Sequence, residues 1–219
     1  MIEELRSKIE GEEFDHQTLL DTLAAYRKPR DAITRLLRAG AIIRVKKGLY
    51  VFGPVYARRP FSRPLLANLI YGPSYVSLEY ALQYYGLIPE HVQAVTSATV
   101  SRAKRFNTPV GLFTYRMVPS EGYWTGVDRV ETAEGVPVLM ATREKAIADK
   151  VRDDRGTGIG SLNQMSAYLL DDLRIDKSEL SVLDANQLEE IGRLYRSRKV
   201  ALLAGAVRLH YKGRGGELT

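Results

Sequence analysis

The sequence predicts an α+β fold: a small N-terminal unit of helices closed by a hairpin, then a mixed α/β second domain with a helical C-terminal part. Three observations lead there. Apolar residues recur at helical spacing up to Ala39, two short runs rich in branched residues follow, and beyond a proline-interrupted stretch strand-like alternation gives way again to helical spacing.

Leu5 and Ile9 place a short first helix. Phe14 and Asp15 stand as staple residue and N-cap of a second helix carrying Leu19, Leu20 and Leu23, expected to end near Tyr26. Pro29 suits the first turn of a third helix, where its missing N–H costs nothing, and Asp31 lies near that helix's positive end. Ile33, Leu36 and Leu37 form its inward stripe, Arg30, Thr34, Arg35 and Arg38 project from the other side, and Gly40 ends it. Ile42 to Val45 and Leu49 to Phe52 read as two strands turned by Lys46, Lys47 and Gly48, with Gly48 free to take a positive φ. Three helices and a hairpin make a winged helix-turn-helix over residues 1–57.

Arg58 to Pro64 is rich in residues that interrupt helix and strand, which places a domain boundary within residues 54–64 and a second domain over 65–212. There, Leu65 to Tyr71 is a short helix stopped by Gly72-Pro73, and Ser77 caps a helix that runs through Leu78, Ala81, Leu82 and Tyr85 to Gly86. Val92 to Val100 and Gly111 to Val118 are strands joined by a basic turn from Ser101 to Pro109, and Val136 to Met140 is a third. Thr142 caps the next helix, whose buried side is Ala146, Ile147 and Val151. Tyr123 to Gly126 is an aromatic loop. The glycines from Gly156 to Gly160 match neither a phosphate loop nor a dinucleotide turn and read as a flexible link. Ser161 or Asn163 starts a helix with Met165, Leu169 and Leu170 inward, Asp184 to Tyr195 and Lys199 to His210 are helical, and Gly213 to Thr219 is a frayed tail.

Composition narrows the function. The 219 residues are 45% apolar and 26% charged, ordinary globular proportions, and the longest apolar stretch, Val200 to Val207, falls short of the roughly 18 residues a membrane span needs. The start MIEELRSKIEGEE lacks the basic and apolar blocks of a secretion signal, so a cytoplasmic protein is expected. Without cysteine there are no disulfides, thiol nucleophiles or thiolate metal sites, and His16, His91 and His210 lie in unrelated contexts. No catalytic, cofactor or metal residues are assigned. Ser74 and Ser77 lack the GxSxG turn of a nucleophile, and Asp149 and Asp153, one helical turn apart, suit magnesium but equally suit pairing with Lys145, Lys150 and Arg152.

The net charge of +6 is concentrated. Between Arg27 and Arg59 ten basic residues face one acid, Asp31, a local charge of +9. On a winged helix this points to duplex DNA. The third helix enters the major groove with Arg30, Thr34, Arg35 and Arg38, Lys46 and Lys47 meet phosphates or the minor groove from the wing tip, and Lys28 and Arg44 add phosphate contacts or serve solubility. Arg35 and Thr34 are the best placed to read bases. Arg58 and Arg59 serve as phosphate contacts or for solubility. The competing readings are a solvated cationic face, a winged helix that touches a protein partner, or a metal-dependent enzyme acting on nucleic acid through Asp149 and Asp153.

The order of four segments, KKGLYVFGP, SYVSLEYALQYYGLIPE, VTSATVSRAKRFNTPVGLFTYR and GVPVLMATREKAIADKV, resembles the AbiEi family of antitoxins from bacterial type IV toxin–antitoxin and phage-abortive systems, over roughly residues 15–155. The resemblance implies an N-terminal winged helix that binds inverted repeats in its own promoter and represses the operon; since one module covers little sequence, binding as a dimer or as cooperative monomers is expected. It further implies a C-terminal domain that counteracts a nucleotidyltransferase toxin without a stable complex. By position it makes Pro29 to Ala39 the recognition helix and Arg44 to Tyr50 the wing. Ser77, Glu79, Tyr80, Ser97, Thr99 and Lys145 match the commonest words of the second domain.

Overall fold

The computed structural model describes residues 1–155 and 157–212. The fold is α+β. It begins with α1 (Ile2–Lys8), β1 (Glu13–Asp15), α2 (His16–Thr22), α3 (Pro29–Arg38), β2 (Ile42–Lys46) and β3 (Leu49–Phe52). Asp15 caps α2 as expected, its carboxylate accepting from the Thr18 N–H at 2.7 Å. That helix ends at Thr22, four residues before the expected Tyr26, and the short strand β1 was not visible in the pattern. Glu13, Phe14 and Asp15 pair antiparallel with Val51, Tyr50 and Leu49, so β3 is the middle strand of a sheet ordered β1-β3-β2.

All four β3 residues are buried, a consequence of the sheet being covered on both faces. Ile42, Tyr50 and Phe52 pack with Leu5, Phe14, Leu19, Ile33 and Leu36 from the helices. Val45, Leu49 and Val51 join the larger core that continues into the rest of the chain. Gly53 lets the backbone cross closely behind this sheet: a Cβ there would come within 1.9 Å of the Gly40 carbonyl oxygen.

Then follow α4 (Arg63–Ile70), β4 (Ser74–Val76), α5 (Leu78–Tyr84), β5 (Val95–Thr99), β6 (Lys104–Thr108), β7 (Gly111–Met117), β8 (Val127–Glu131), β9 (Pro137–Ala141) and α6 (Arg143–Asp153). Six strands form one mixed sheet, β6-β7-β5-β4-β9-β8, in which β5 runs parallel to β7 and β4 to β9. The sequence reading found β5, β7 and β9 and missed the other three. The expected basic turn from Ser101 to Pro109 contains β6, which pairs with β7 from Lys104↔Tyr115 to Thr108↔Gly111. Cross-strand partners share a face, so Tyr75, Ala98 and Arg116 point together, and Val76, Ser97 and Tyr115 point the opposite way. The Tyr115 hydroxyl donates to the Ala67 carbonyl of α4 and the Tyr75 hydroxyl to Asp149 of α6, so these two helices cover opposite faces.

The remaining helices are α7 (Leu162–Ala167), a π-helical turn (Tyr168–Asp172), α8 (Lys177–Ser181), α9 (Ala185–Leu194) and α10 (Arg198–Lys212). Ser161, not Asn163, caps α7. Gly156 and the tail Gly213 to Thr219 lie outside the described residues. No helix among the described residues is long and apolar enough to cross a membrane.

Candidate nucleic-acid interface

The third helix is built as its spacing requires. Ala32, Ile33 and Leu36 are buried, and about 100° of turn per residue then sets Arg30, Thr34, Arg38 and Arg35 on the opposite arc. All four are exposed. Thr34 returns its hydroxyl proton to the Arg30 carbonyl at 3.0 Å, which leaves its oxygen lone pairs for a partner's donor. Lys28 occupies the N-cap position without a side-chain cap bond and is exposed beside them. Asp31, the one acid of the block, pairs with none of these cations. Among the described residues no carboxylate lies within ion-pair distance of Lys28, Arg30, Arg35, Arg38, Arg44 or Lys47.

The hairpin departs from expectation at one lysine. Lys46 belongs to the end of β2, not to the turn, and its half-buried ammonium donates to the Ile70 carbonyl at the end of α4. A helix leaves its last carbonyls without internal partners, so a lysine stem reaching them is satisfied there. Burial lowers its pKa. Lys47 and Arg44 stay exposed, and Gly48 takes φ 87° to close the turn. The free cations of this hairpin are therefore Arg44 and Lys47.

Arg58 and Arg59 also hold the structure together. Arg58 donates to the Arg6 carbonyl at 3.0 Å, and its backbone N–H donates to Glu12, which is itself paired at 2.5 Å with the buried Arg6. Arg59 reaches the Glu134 carbonyl, and the Ser62 N–H donates to the Glu13 carboxylate. Burial raises the pKa of Glu13, although that N–H favours its ionised form.

A second cluster, unforeseen as a unit, lies beneath the sheet. Lys145 and Asp149, one turn apart on α6, are 0% and 1% exposed. Asp149 accepts from the hydroxyls of Tyr195 at 2.5 Å, Ser77 at 2.7 Å and Tyr75 at 2.9 Å. Lys145 donates to Tyr195 at 2.5 Å and to the Gly122 carbonyl, so the Tyr195 hydroxyl links ammonium to carboxylate. Burial pushes Lys145 down to about 8 against the pull of Asp149, and pushes Asp149 up. Ser77 stands at the N-cap of α5 as expected, yet its hydroxyl serves Asp149 and not the helix, and Leu78 beside it holds φ 55°. The available signal was the i,i+4 spacing of Lys145 and Asp149 within a helix otherwise buried by Ala146, Ile147, Ala148 and Val151.

This arrangement occupies both oxygens of Asp149, while Asp153 pairs at 3.2 Å with Arg116. The two carboxylates weighed as magnesium ligands thus have separate surroundings, and among the described residues no group of three His, Asp or Glu gathers as a metal site. Of the aromatic loop, Tyr123 is buried against Tyr75 and Trp124 is exposed.

No protein-family model matches the chain, and no curated protein matches it.

Proposed function

We propose that this protein is a sequence-specific DNA-binding repressor, with residues 1–57 a winged helix-turn-helix, α3 its recognition helix and β2–β3 its wing. One observation carries the reading: Lys28, Arg30, Arg35, Arg38, Arg44 and Lys47 stand exposed and without ion-pair partners among the described residues, on one helix and the hairpin that follows it. A helix about 10–12 Å across with its side chains fits the B-DNA major groove, about 12 Å wide. Uncompensated guanidiniums suit paired acceptors on guanine and phosphate oxygens. Three helices with a small antiparallel sheet support the winged-helix assignment.

The segment order shared with AbiEi antitoxins extends this reading. The operator is an inverted repeat in the protein's own promoter, bound by a dimer or by cooperative monomers in the cytoplasm. Residues 65–212 form the domain that antagonises a nucleotidyltransferase toxin without a stable complex. Fluorescence anisotropy on the DNA upstream of the gene, against a scrambled duplex of equal length, tests the repressor. The wild type favours the upstream DNA, and R30A/R35A loses at least roughly tenfold of that preference. Equal wild-type affinity for both duplexes would reject sequence-specific repression. Co-expression with an adjacent nucleotidyltransferase gene tests the second domain, whose role predicts that growth is restored.

A further inference from the structure

Far along the chain from α3, a groove of about 900 Å³ opens where three parts of the fold end together: the approach to β6 and the end of β7, the last turn of α6, and the junction of α9 and α10. Five arginines line it, Arg102, Arg116, Arg152, Arg155 and Arg196, with two acids, Asp153 and Asp154. Both acids are already engaged. Asp153 pairs with Arg116 at 3.2 Å, and Asp154 shares Lys150 with Glu79, each at 2.8 Å, and accepts from the Tyr168 hydroxyl. Arg102, Arg152, Arg155 and Arg196 remain, none with a carboxylate at ion-pair distance among the described residues, although one Arg152 nitrogen donates to the Met117 carbonyl at 3.0 Å. The C-terminal ends of α6 and α9 each supply at most roughly half a negative charge to offset these four.

Two further features shape the groove. Arg196 holds φ 49° just past α9, where the Ser197 N–H returns to the Gly192 carbonyl at 3.0 Å. That closure ordinarily takes glycine, so an arginine stands in the groove at a position that disfavours any side chain. Met117, 54% exposed, gives the lining an apolar surface beside the guanidiniums.

We propose that this groove binds an oligophosphate anion of nucleotide size, its phosphates held by Arg102, Arg152, Arg155 and Arg196. The volume falls within the roughly 300–1,000 Å³ of small-ligand sites. Phosphate oxygens match planar guanidiniums, and an anion here relieves the mutual repulsion of four like charges. Tyr195 lines the groove while its hydroxyl joins Lys145 to Asp149, so an occupant rests on the buried cluster that ties α6 to α9 and β4. The site stands independently of DNA binding by α3.

Titration calorimetry of the full chain at constant ionic strength tests the proposal, with inorganic triphosphate and ATP as separate probes. The expected result is saturable binding that weakens about tenfold or more in R155A/R196A. R30A/R35A should bind triphosphate as the wild type does. Both substituted arginines are exposed, so circular dichroism should report an intact fold. As a second readout, triphosphate should raise the melting temperature of the wild type more than that of R155A/R196A at the same concentration. Tighter binding of ATP than of triphosphate adds a base contact at Met117, and equal binding assigns recognition to the phosphates alone; both support the site. Absence of saturable binding by either probe, or binding unchanged in R155A/R196A, overturns it.

Discussion

Replacing Lys145 with methionine probes the interior most sharply. The ammonium is fully buried, donates to Tyr195 at 2.5 Å and to the Gly122 carbonyl, and faces Asp149 through that tyrosine. Methionine keeps much of the volume and removes the charge, which leaves Asp149 as a buried carboxylate with hydroxyl donors alone. Breaking a buried pair from one side costs about 3–5 kcal/mol, and the orphaned Gly122 carbonyl falls partly within that figure, so we expect a loss of about 4 kcal/mol at pH 7. Equilibrium urea unfolding measures it through the midpoint at constant m. Protonation of Asp149, whose pKa burial raises, should shrink the loss as the pH is lowered. In K145M/D149N the combined loss should fall short of the sum by about 1–3 kcal/mol. A K145M cost under about 1 kcal/mol, or a cycle additive to within about 0.5 kcal/mol, would refute the coupling.

Other expectations follow from the same geometry. Lys145 titrates near 8 in the fold against 10.5 for the free side chain, so between these values the unfolded chain holds the proton and stability rises with pH, by up to about 3 kcal/mol in all. Burial also raises Tyr75, Tyr80, Tyr85, Tyr115, Tyr123, Tyr168 and Tyr195, so the unfolded state loses its tyrosine protons first and together these reverse the trend before the pH reaches about 10; the rise is therefore read between about pH 7.5 and 9 and should be smaller in K145M. Lys47→Ala should reduce the salt slope of DNA binding by about 1 and leave stability unchanged, while Lys46→Ala, deprived of the Ile70 carbonyl, should lower the melting temperature instead. Arg196→Gly relieves a left-handed backbone and should stabilise the protein by about 0.5–1 kcal/mol in the same urea assay. Asp15→Ala removes the cap of α2 and should cost about 1 kcal/mol.

Much of this molecule was legible wherever one local rule governs. Pro29 at the start of α3, Gly40 and Gly48 at positive φ, and the caps Asp15 and Thr142 stand where the chemistry of chain ends and turns puts them. The strands that escaped notice are short or depend on distant partners. β1 has three residues and exists because β3 lies beside it, and the exposed, charged β6 has no apolar alternation to betray it. Lys46 illustrates a further limit. From the sequence it is one of two adjacent lysines in a turn, and only the arrival of α4 gives one of them a carbonyl to satisfy. The cluster of Lys145 and Asp149 was hidden for a similar reason: its hydroxyl partners lie on two distant segments, Tyr75 and Ser77 at the end of β4 and Tyr195 past α9. The cationic face of α3 was readable because one helix's periodicity sets it.

Contact between the free cations of α3 and its hairpin and the DNA phosphates is read from the salt dependence of binding to the upstream DNA. Six unpaired cations set an upper bound near −5 for the slope of log affinity against log salt per bound protein, since each neutralised phosphate contributes about −0.9. A straight line of slope about −3 to −5 that flattens in R44A/K47A is the predicted result. A slope near zero, or one untouched by those substitutions, would contradict it.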